Sequence, residues 1–264
     1  MTKTFAIANQ KGGVGKTTTS VNLAASLATF NKRTLLVDMD PQGNATMGCG
    51  VNKNQLEVTV LDVLTGDEVT ENAMQRCDTG NFDLLPANGD LTAAEVELLN
   101  MTGKESRLRH ALTRVKHQYD YIIIDCPPSL SMLTVNSLVA CDGVIIPMQC
   151  EYYALEGLSA LVDTIGKIGK FLNPTLQVEG ILRTMYDPRN SLTNEVTSQL
   201  RQYFGDKVYR IAIPRNVRLA EAPSYGQPAL SYDKHSKGAL AYLGLAGEII
   251  RRAKAAKPQP ETMG

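Results

Sequence analysis

The stretch that decides the fold is KGGVGKTT at residues 11–18, which follows the short apolar run FAIAN at residues 5–9 and precedes an apolar-periodic helix. Its members are Lys11, Gly12, Gly13, Val14, Gly15, Lys16, Thr17 and Thr18. Glycines let backbone N–H groups crowd around phosphate oxygens, and the start of a helix adds a partial positive charge. Lys16 would neutralise the β- and γ-phosphates, and Thr17 would bind Mg²⁺. The stretch therefore predicts a phosphate-binding loop for a nucleoside triphosphate, and a plain glycine-rich turn is the alternative.

The length and composition of the chain fit one α/β domain. At 264 residues it can bury a large core, and we predict a single domain over residues 1–254. Residues 255–264 are polar and interrupted by proline, which predicts a disordered tail. The five cysteines form no C-x-x-C pair, as expected of reduced thiols in a cytosol. No apolar run approaches the ~18 residues of a membrane span, so we expect a soluble, cytoplasmic protein.

Apolar β-rich runs alternate with helical patterns along the chain. This alternation predicts a mostly parallel twisted sheet flanked by helices on both faces. The predicted strands are 5–9, 33–38, 82–86, 121–125, 143–148, 177–185 and 208–213. The predicted helices are 16–30, 93–99, 106–117, 133–140, 155–171, 192–204 and 238–254. Ligands bind such sheets at the carboxyl ends of the strands, which is where the phosphate-binding loop is expected.

Carboxylates follow two of these apolar strands. Asp38 and Asp40 end the run LLVDMD, and Asp125 ends YIIID. Asp125 fits the Walker B carboxylate that holds Mg²⁺, and Asp40 fits a group that positions the attacking water. We expect Asp38 to lie behind these groups, near Mg²⁺ or the loop lysine. The alternative is that Asp38 and Asp40 only begin a turn ahead of Pro41.

The phosphate-binding loop departs from the general pattern G-x-x-x-x-G-K-[ST] at its beginning. Gln10 stands where glycine is usual, and Lys11 adds a second lysine. In this respect the loop resembles the deviant Walker A P-loop of the ParA/MinD ATPases. In that family the early lysine reaches across a dimer to the partner's nucleotide, so the resemblance implies an ATP-dependent homodimer with Lys11 and Lys16 both acting on the phosphates.

Longer blocks resemble the ParA/Soj chromosome-partitioning ATPases. These blocks are residues 9–19, 38–46, 125–129, 147–157 and 213–224, and the resemblance covers roughly residues 3–252. It implies an ATPase with ATP and Mg²⁺ as ligands, in which Pro214 and Asn216 contact the adenine base. A plain turn after a strand is the alternative for Pro214 and Asn216. ATP is favoured over GTP because no Asn/Thr-Lys-x-Asp motif is present.

Basic residues gather late in the chain. Residues 176–257 hold 13 Lys and Arg against 7 Asp and Glu, whereas residues 1–175 hold 14 against 19. Taken alone, this asymmetry fits a solvated face better than a nucleic-acid footprint. The family resemblance implies instead that the ATP-bound dimer binds double-stranded DNA without sequence specificity, with Arg189 and Arg218 on the DNA surface. Such binding is directed to the phosphate backbone and weakens steeply with salt.

Together these features predict an ATP-dependent switch for chromosome or plasmid segregation. By the resemblance, hydrolysis is slow alone and is stimulated by a ParB-type centromere-binding protein, after which the dimer leaves the nucleoid. The first alternative is a MinD-like division-site ATPase at a membrane, but residues 249–258 contain no Phe, Leu or Trp to form the apolar face of an interfacial helix. The second is an iron–sulfur ATPase that uses Cys126, for which a small buried cysteine is the simpler role.

Overall fold

The computed structural model describes residues 2–152 and 154–255. Its strands are β1 (Lys3–Ile7), β2 (Thr34–Asp38), β3 (Gln75–Cys77), β4 (Phe82–Leu85), β5 (Tyr121–Asp125), β6 (Gly143–Gln149) and β7 (Gln177–Thr184). Within this part of the chain they form one seven-stranded sheet in the order β3-β4-β2-β5-β1-β6-β7. Strand β3 pairs antiparallel with β4, and every other pair of neighbours is parallel. The carboxyl ends of six strands therefore meet at one edge of the sheet.

Helices connect the strands. They are α1 (Lys16–Thr29), α2 (Asn44–Gly48), α3 (Val60–Thr65), α4 (Thr70–Ala73), α5 (Leu91–Leu99), α6 (Arg107–Val115), α7 (Met132–Ala140), α8 (Ala154–Phe171), α9 (Ser191–Phe204), α10 (Val217–Glu221), α11 (Ala229–Tyr232) and α12 (Lys237–Ala255). Short 3₁₀ turns lie at Lys53–Gln55, Lys116–Gln118, Gly205–Lys207 and Ala222–Tyr225. None of the helices between residues 2 and 255 that the structure describes is long and apolar enough to cross a membrane.

Both faces of the sheet are covered, because successive strand residues point to opposite sides. In β2, Leu35 and Val37 join a core cluster with residues of α3, α5, α6, α7, α8 and α9, whereas Leu36 joins a second cluster with residues of α1 and α12. The central strand β5 alternates in the same way through Ile122 and Ile123, which are both 0% exposed. Burying each such side chain stabilises the fold by ~1.5–3 kcal/mol. The predicted fold class is confirmed.

One predicted strand is wrong. Residues 208–213 run beside β7 but make only isolated bridges, Ile181 to Val208 and Tyr186 to Pro214. Two side chains form hydrogen bonds with backbone groups that would otherwise pair the segment with β7 as a regular strand. The guanidinium of Arg183 donates to the carbonyls of Tyr209 and Arg210, and the Glu248 carboxylate accepts from the next two N–H groups, those of residues 210 and 211. The segment is therefore an irregular edge. The Arg183 side chain and two backbone hydrogen bonds, from the N–H groups of residues 209 and 213, hold it to β7, and Glu248 holds it to α12.

The other differences from the predicted elements are small. Helix α6 ends at Val115 and continues as a 3₁₀ turn, and α5 begins two residues before the predicted start. Strand β3 and the short helices α2, α3, α4, α10 and α11 are absent from the prediction, because three to six residues carry too little periodicity. Helix α12 extends through Ala255. The disordered tail is predicted for residues 255–264, of which Ala255 is instead the last residue of α12 and residues 256–264 lie outside the described residues.

Candidate nucleotide-binding site

The phosphate-binding loop joins β1 to α1 at the carboxyl edge of the sheet. Gly13 and Gly15 have φ of 71° and 88°, a left-handed conformation that favours glycine. Gly15 is the N-cap residue of α1 and has no side chain that could accept a hydrogen bond from the helix. The first N–H groups of α1 therefore remain available to an anion. The loop carbonyls are fixed from the neighbouring strands. Gln149 donates to the Gly13 carbonyl at 3.0 Å, and Thr184 donates to that of Val14 at 2.8 Å.

Lys16 carries the positive charge of this loop. It is 7% exposed, and its amine donates to the Lys11 carbonyl at 3.3 Å. Burial lowers the pKa of Lys16, while the charges of Asp125 and Asp40 nearby raise it. In the described part of the chain no carboxylate oxygen lies within 4.0 Å of the amine. A phosphate group would therefore be the first close counter-charge of Lys16.

Asp125 lies at the end of β5, level with Ile7 of β1 and Asp38 of β2. Its Oδ1 accepts from the Ser20 hydroxyl at 2.8 Å, whereas its Oδ2 is buried and has no hydrogen-bond partner among the residues that the structure describes. Burial raises the pKa of Asp125, and the neighbouring charge of Asp38 raises it further, while Ser20 and Thr17 lower it. A fully buried carboxylate oxygen is costly without a donor or a cation.

The residues around Asp125 fit a magnesium ion. Mg²⁺ prefers oxygen ligands and usually keeps waters or substrate phosphates among them, so one carboxylate and one hydroxyl suffice on the protein side. Thr17 lies close enough to Asp125 to lower its pKa, and Asp125 Oδ2 would supply the carboxylate oxygen. The described residues contain no group of three or more His, Cys, Asp or Glu side chains that could hold a metal on its own. The site would therefore need the phosphates to complete the coordination.

Asp38 and Asp40 occupy different environments at the end of β2. Asp38 is 0% exposed, and its carboxylate accepts from the N–H and hydroxyl of Thr46 at 2.9 and 2.8 Å and from the Asp40 N–H at 3.1 Å. Burial raises the pKa of Asp38, and the hydrogen bonds from Thr46 lower it. Asp40 is 8% exposed, and its Oδ1 accepts from the Gln42 N–H at 3.0 Å. The turn ahead of Pro41 is thus present, and it places Asp40 near Lys16.

A cavity of about 200 Å³ lies next to the loop. Its lining includes Gly15, Thr18, Met185, Pro214, Asn216 and Tyr242. Asn216 Oδ1 is buried and has no hydrogen-bond partner among the described residues. Met185 has φ of 48°, which is uncommon for a residue other than glycine. The structure therefore brings Pro214 and Asn216 to the loop, and their contact with adenine stays a prediction.

Lys11 lies at the exposed entrance of the loop. Its N–H donates to Asn9 Oδ1 at 2.9 Å, and the other end of the Asn9 amide donates to the Pro147 carbonyl at 2.8 Å. The Lys11 amine forms an ion pair with Glu151 of the same chain, in the loop after β6. Both side chains are about half exposed, 53% and 51%. Lys11 is therefore accessible at the surface, and its action on a partner's nucleotide stays a prediction.

Sequence reasoning missed several residues that shape this site. Ser20, Gln149, Thr184 and Glu151 all contact the loop or its acidic neighbours. Gln149 and Thr184 are the last residues of β6 and β7, at the same edge as the loop. Their position at the strand ends was the available signal. No local pattern indicates Ser20 or Glu151.

The two arginines of the predicted DNA surface lie outside the nucleotide cavity. Arg189 follows β7 and its side chain is 88% exposed, and Arg218 is on α10 and is 49% exposed. Each is paired with carboxylates of the same chain, Arg189 with Asp187 and Arg218 with Glu221 and Asp233. Their contact with DNA stays a prediction.

Comparisons with known proteins agree with this geometry. A family model described as an AAA domain matches residues 2–178. The chain is 54% identical to the sporulation initiation inhibitor protein Soj of Bacillus subtilis, over 94% of this chain and 98% of Soj. It is 51% identical to the chromosome partitioning protein ParA of Myxococcus xanthus, over 96% of this chain and 89% of that protein.

A solved structure extends the comparison to bound ligands. Cobyrinic acid a,c-diamide synthase of Mycobacterium smegmatis, with bound ADP and magnesium, matches with a TM-score of 0.85 and 38% identity over 100% of both chains. These findings confirm the resemblance inferred from the sequence, and the chain belongs to the Soj/ParA family of chromosome-partitioning proteins.

Proposed function

We propose that the protein binds ATP with Mg²⁺ and hydrolyses it to ADP and phosphate. The observation that carries this proposal is the buried Asp125 carboxylate near Thr17 and Lys16: in the described part of the chain its Oδ2 has no hydrogen-bond partner, and the Lys16 amine has no carboxylate oxygen within 4.0 Å. The Asp125 carboxylate would bind a cation, and the Lys16 amine would bind a polyanion. The relative from Mycobacterium smegmatis, with its bound ADP and magnesium, supports the same ligands.

Each residue of the loop has a defined task in this proposal. The loop N–H groups and the start of α1 bind the phosphate oxygens, and Lys16 neutralises the terminal phosphates. Thr17 and Asp125 would hold Mg²⁺, which would supply positive charge to the phosphates. Asp38 would lie behind Thr17 and Asp125. Asp40 accepts a hydrogen bond from the attacking water and orients it towards the γ-phosphate. Pro214 and Asn216 hold the adenine base.

ATP binding is coupled to pairing of two protomers. Lys11 leaves Glu151 and reaches the nucleotide of the partner subunit, so that the dimer is stable only with a triphosphate. The half-exposed Lys11 side chain supports this role, because an amine that must act on another subunit has to be accessible. Pairing brings together two copies of any surface that binds a further ligand weakly in one protomer. The nucleotide that controls pairing can thereby control this second binding event.

The second binding event is non-specific contact with double-stranded DNA through Arg189 and Arg218. The surplus of basic residues in 176–257 and the exposure of both side chains support this surface. A ParB-type partner stimulates hydrolysis and releases the dimer. The protein then acts in the cytoplasm, associated with the nucleoid. The relatives named Soj and ParA support a partitioning role, and their identity to this chain exceeds that of the diamide synthase.

Two linked assays test the proposed function. Phosphate release is measured with ATP alone, with DNA, and with DNA and the cognate ParB, and we expect the last mixture to be fastest. Fluorescence anisotropy of a labelled DNA duplex is measured with ATP and with ADP. We expect binding with ATP, little with ADP, and prolonged binding for Asp40→Ala, which retains ATP. Equal DNA binding in ATP and ADP would refute the switch, and recruitment to liposomes with ATP would favour the MinD-like alternative.

A further inference from the structure

Each arginine of the proposed DNA surface is already engaged by acidic side chains of its own chain. Arg189 binds Asp187 in a two-point fork, with Nε to Oδ1 at 2.9 Å and Nη2 to Oδ2 at 2.7 Å. The Arg189 N–H donates to the same Oδ1 at 3.0 Å. This fork occupies the Nε/Nη2 edge of the guanidinium, one of the two edges that can bind a phosphate at two points. Arg189 is exposed but not chemically free.

Arg218 is held from two sides. Its Nη1 lies 2.7 Å from Glu221 Oε2, and its Nε lies 3.3 Å from Asp233 Oδ2. Glu221 also accepts a hydrogen bond of 3.4 Å from the Tyr232 hydroxyl, and the ring of Tyr232 stacks on Tyr225 with centroids 4.9 Å apart. The group formed by Arg218, Glu221 and Asp233 carries a formal charge of −1 rather than +1. The positive charge is therefore cancelled at Arg189, which pairs with Asp187, and outweighed at Arg218, the two positions where DNA contact is proposed.

Contact with DNA under these conditions is an exchange of partners. A phosphate must displace a carboxylate from the guanidinium or bind the remaining N–H donors beside it, and in either case the carboxylate faces the polyanion and attracts a cation from solution. Both effects oppose binding, and the second cancels part of the counterion release that drives proteins onto DNA. Exposed ion pairs are weak, so the exchange is possible. The exchange nevertheless lowers the DNA affinity of every protomer.

We propose that Asp187, Glu221 and Asp233 limit the affinity for DNA by competing with phosphate for Arg189 and Arg218. This inference rests on the proposed DNA binding and deepens it. The carboxylates keep the DNA affinity of one protomer low, whereas a dimer binds DNA because it presents two copies of each arginine. Release after hydrolysis is then favoured, because the carboxylates recapture the arginines as soon as pairing is lost.

The test uses neutral variants of matched shape in the full chain. Asp187→Asn keeps an oxygen for the Arg189 N–H, and Glu221→Gln keeps the length of the side chain. The control is Glu97→Gln on α5, an exposed carboxylate without an ion pair among the described residues. It removes the same charge from a different helix. Affinity for a labelled duplex is measured with a non-hydrolysable ATP analogue at several salt concentrations, together with binding of the analogue itself.

We expect each acidic-to-amide change near an arginine to tighten DNA binding by about threefold per protomer and about tenfold per dimer, since exposed ion pairs are weak. The slope of log affinity against log salt should steepen by ~0.9 for each arginine that no longer exchanges partners. Analogue binding should be unchanged. Glu97→Gln should resemble the wild type in both affinity and slope.

Failure of this inference is distinguishable from failure of the proposed function. Wild-type protein that binds no more DNA with the analogue than with ADP overturns both. Wild-type protein that does bind, with Asp187→Asn and Glu221→Gln no tighter than Glu97→Gln, overturns the inference alone. Should Glu221→Gln lose its fold by circular dichroism, Asp233→Asn replaces it, because Asp233 contacts the same arginine.

Discussion

The Ser20 hydroxyl donates a hydrogen bond of 2.8 Å to Oδ1 of Asp125, from the second turn of α1 to the end of β5. This bond occupies Oδ1, and the other carboxylate oxygen, Oδ2, has no hydrogen-bond partner among the described residues. The helix that begins at the phosphate-binding loop thus also orients the carboxylate proposed for Mg²⁺. One helix holds both halves of the site in a fixed relation, which is how outer-shell partners tune a metal site.

Removing this hydroxyl should weaken the magnesium-dependent part of nucleotide binding. For Ser20→Ala we expect affinity for a fluorescent ATP analogue to fall by about tenfold in Mg²⁺ and to change little in EDTA. Ser26→Ala is the matched control on the same helix, because the Ser26 hydroxyl is buried without a hydrogen-bond partner. An equal loss in both solutions would contradict the orienting role of Ser20.

Thr46 links the acidic end of β2 to the end of β4. Its hydroxyl donates to Asp38 at 2.8 Å and accepts from the Ala87 N–H at 3.0 Å. Thr46→Val would leave a buried carboxylate and a buried N–H without these bonds, so we expect it to cost about 2–4 kcal/mol in the free energy of unfolding. Thr46→Ser keeps the hydroxyl and should cost less. Urea denaturation measures both, and equal losses would contradict the hydrogen-bonding role.

Glu248 fastens the irregular edge segment to α12. It is 5% exposed, and burial raises its pKa, but hydrogen bonds from the N–H groups of residues 210 and 211 and from Arg252 outweigh burial and leave the pKa below 4.5. A carboxylate with a lowered pKa stabilises the fold above its unfolded pKa, and that contribution disappears as the pH falls through the folded pKa. The stabilisation by Glu248 should therefore be complete at neutral pH.

Replacing Glu248 by glutamine should lower the free energy of unfolding by about 1–3 kcal/mol at pH 7. The deficit relative to wild type should shrink in acid, once the wild-type carboxyl is protonated. Urea denaturation at pH 7 and at successively lower pH measures the difference, with Glu97→Gln as the exposed control. A deficit that is the same at every pH would mean that packing, rather than charge, is lost.

Much of the site is predictable from the sequence because it is local. The phosphate-binding loop is eight consecutive residues, and the carboxylates Asp38 and Asp125 each end an apolar run. Neighbouring parallel strands then bring these ends to one edge, where β2 and β5 pair Asp38 with Asp125. Strand pattern and chain topology were enough to place them, so no knowledge of side-chain contacts was needed.

The rest depends on contacts between distant parts of the chain. Ser20 and Asp125 are 105 residues apart, and Lys11 and Glu151 are 140 apart, so no local pattern indicates either pair. The segment 208–213 has the composition of a strand, but Arg183 and Glu248 compete for its backbone groups. The tertiary environment overrides β-propensity at this edge.

The most direct test of the proposed switch concerns Lys11 and self-association. Sedimentation velocity is measured with ADP and with a non-hydrolysable ATP analogue, for the wild type, for Lys11→Ala, and for Lys167→Ala as an exposed lysine control on α8. We expect the wild type and Lys167→Ala to be monomers with ADP and dimers with the analogue, and Lys11→Ala to bind the analogue but stay monomeric. Dimers of Lys11→Ala as stable as those of the wild type would contradict the account.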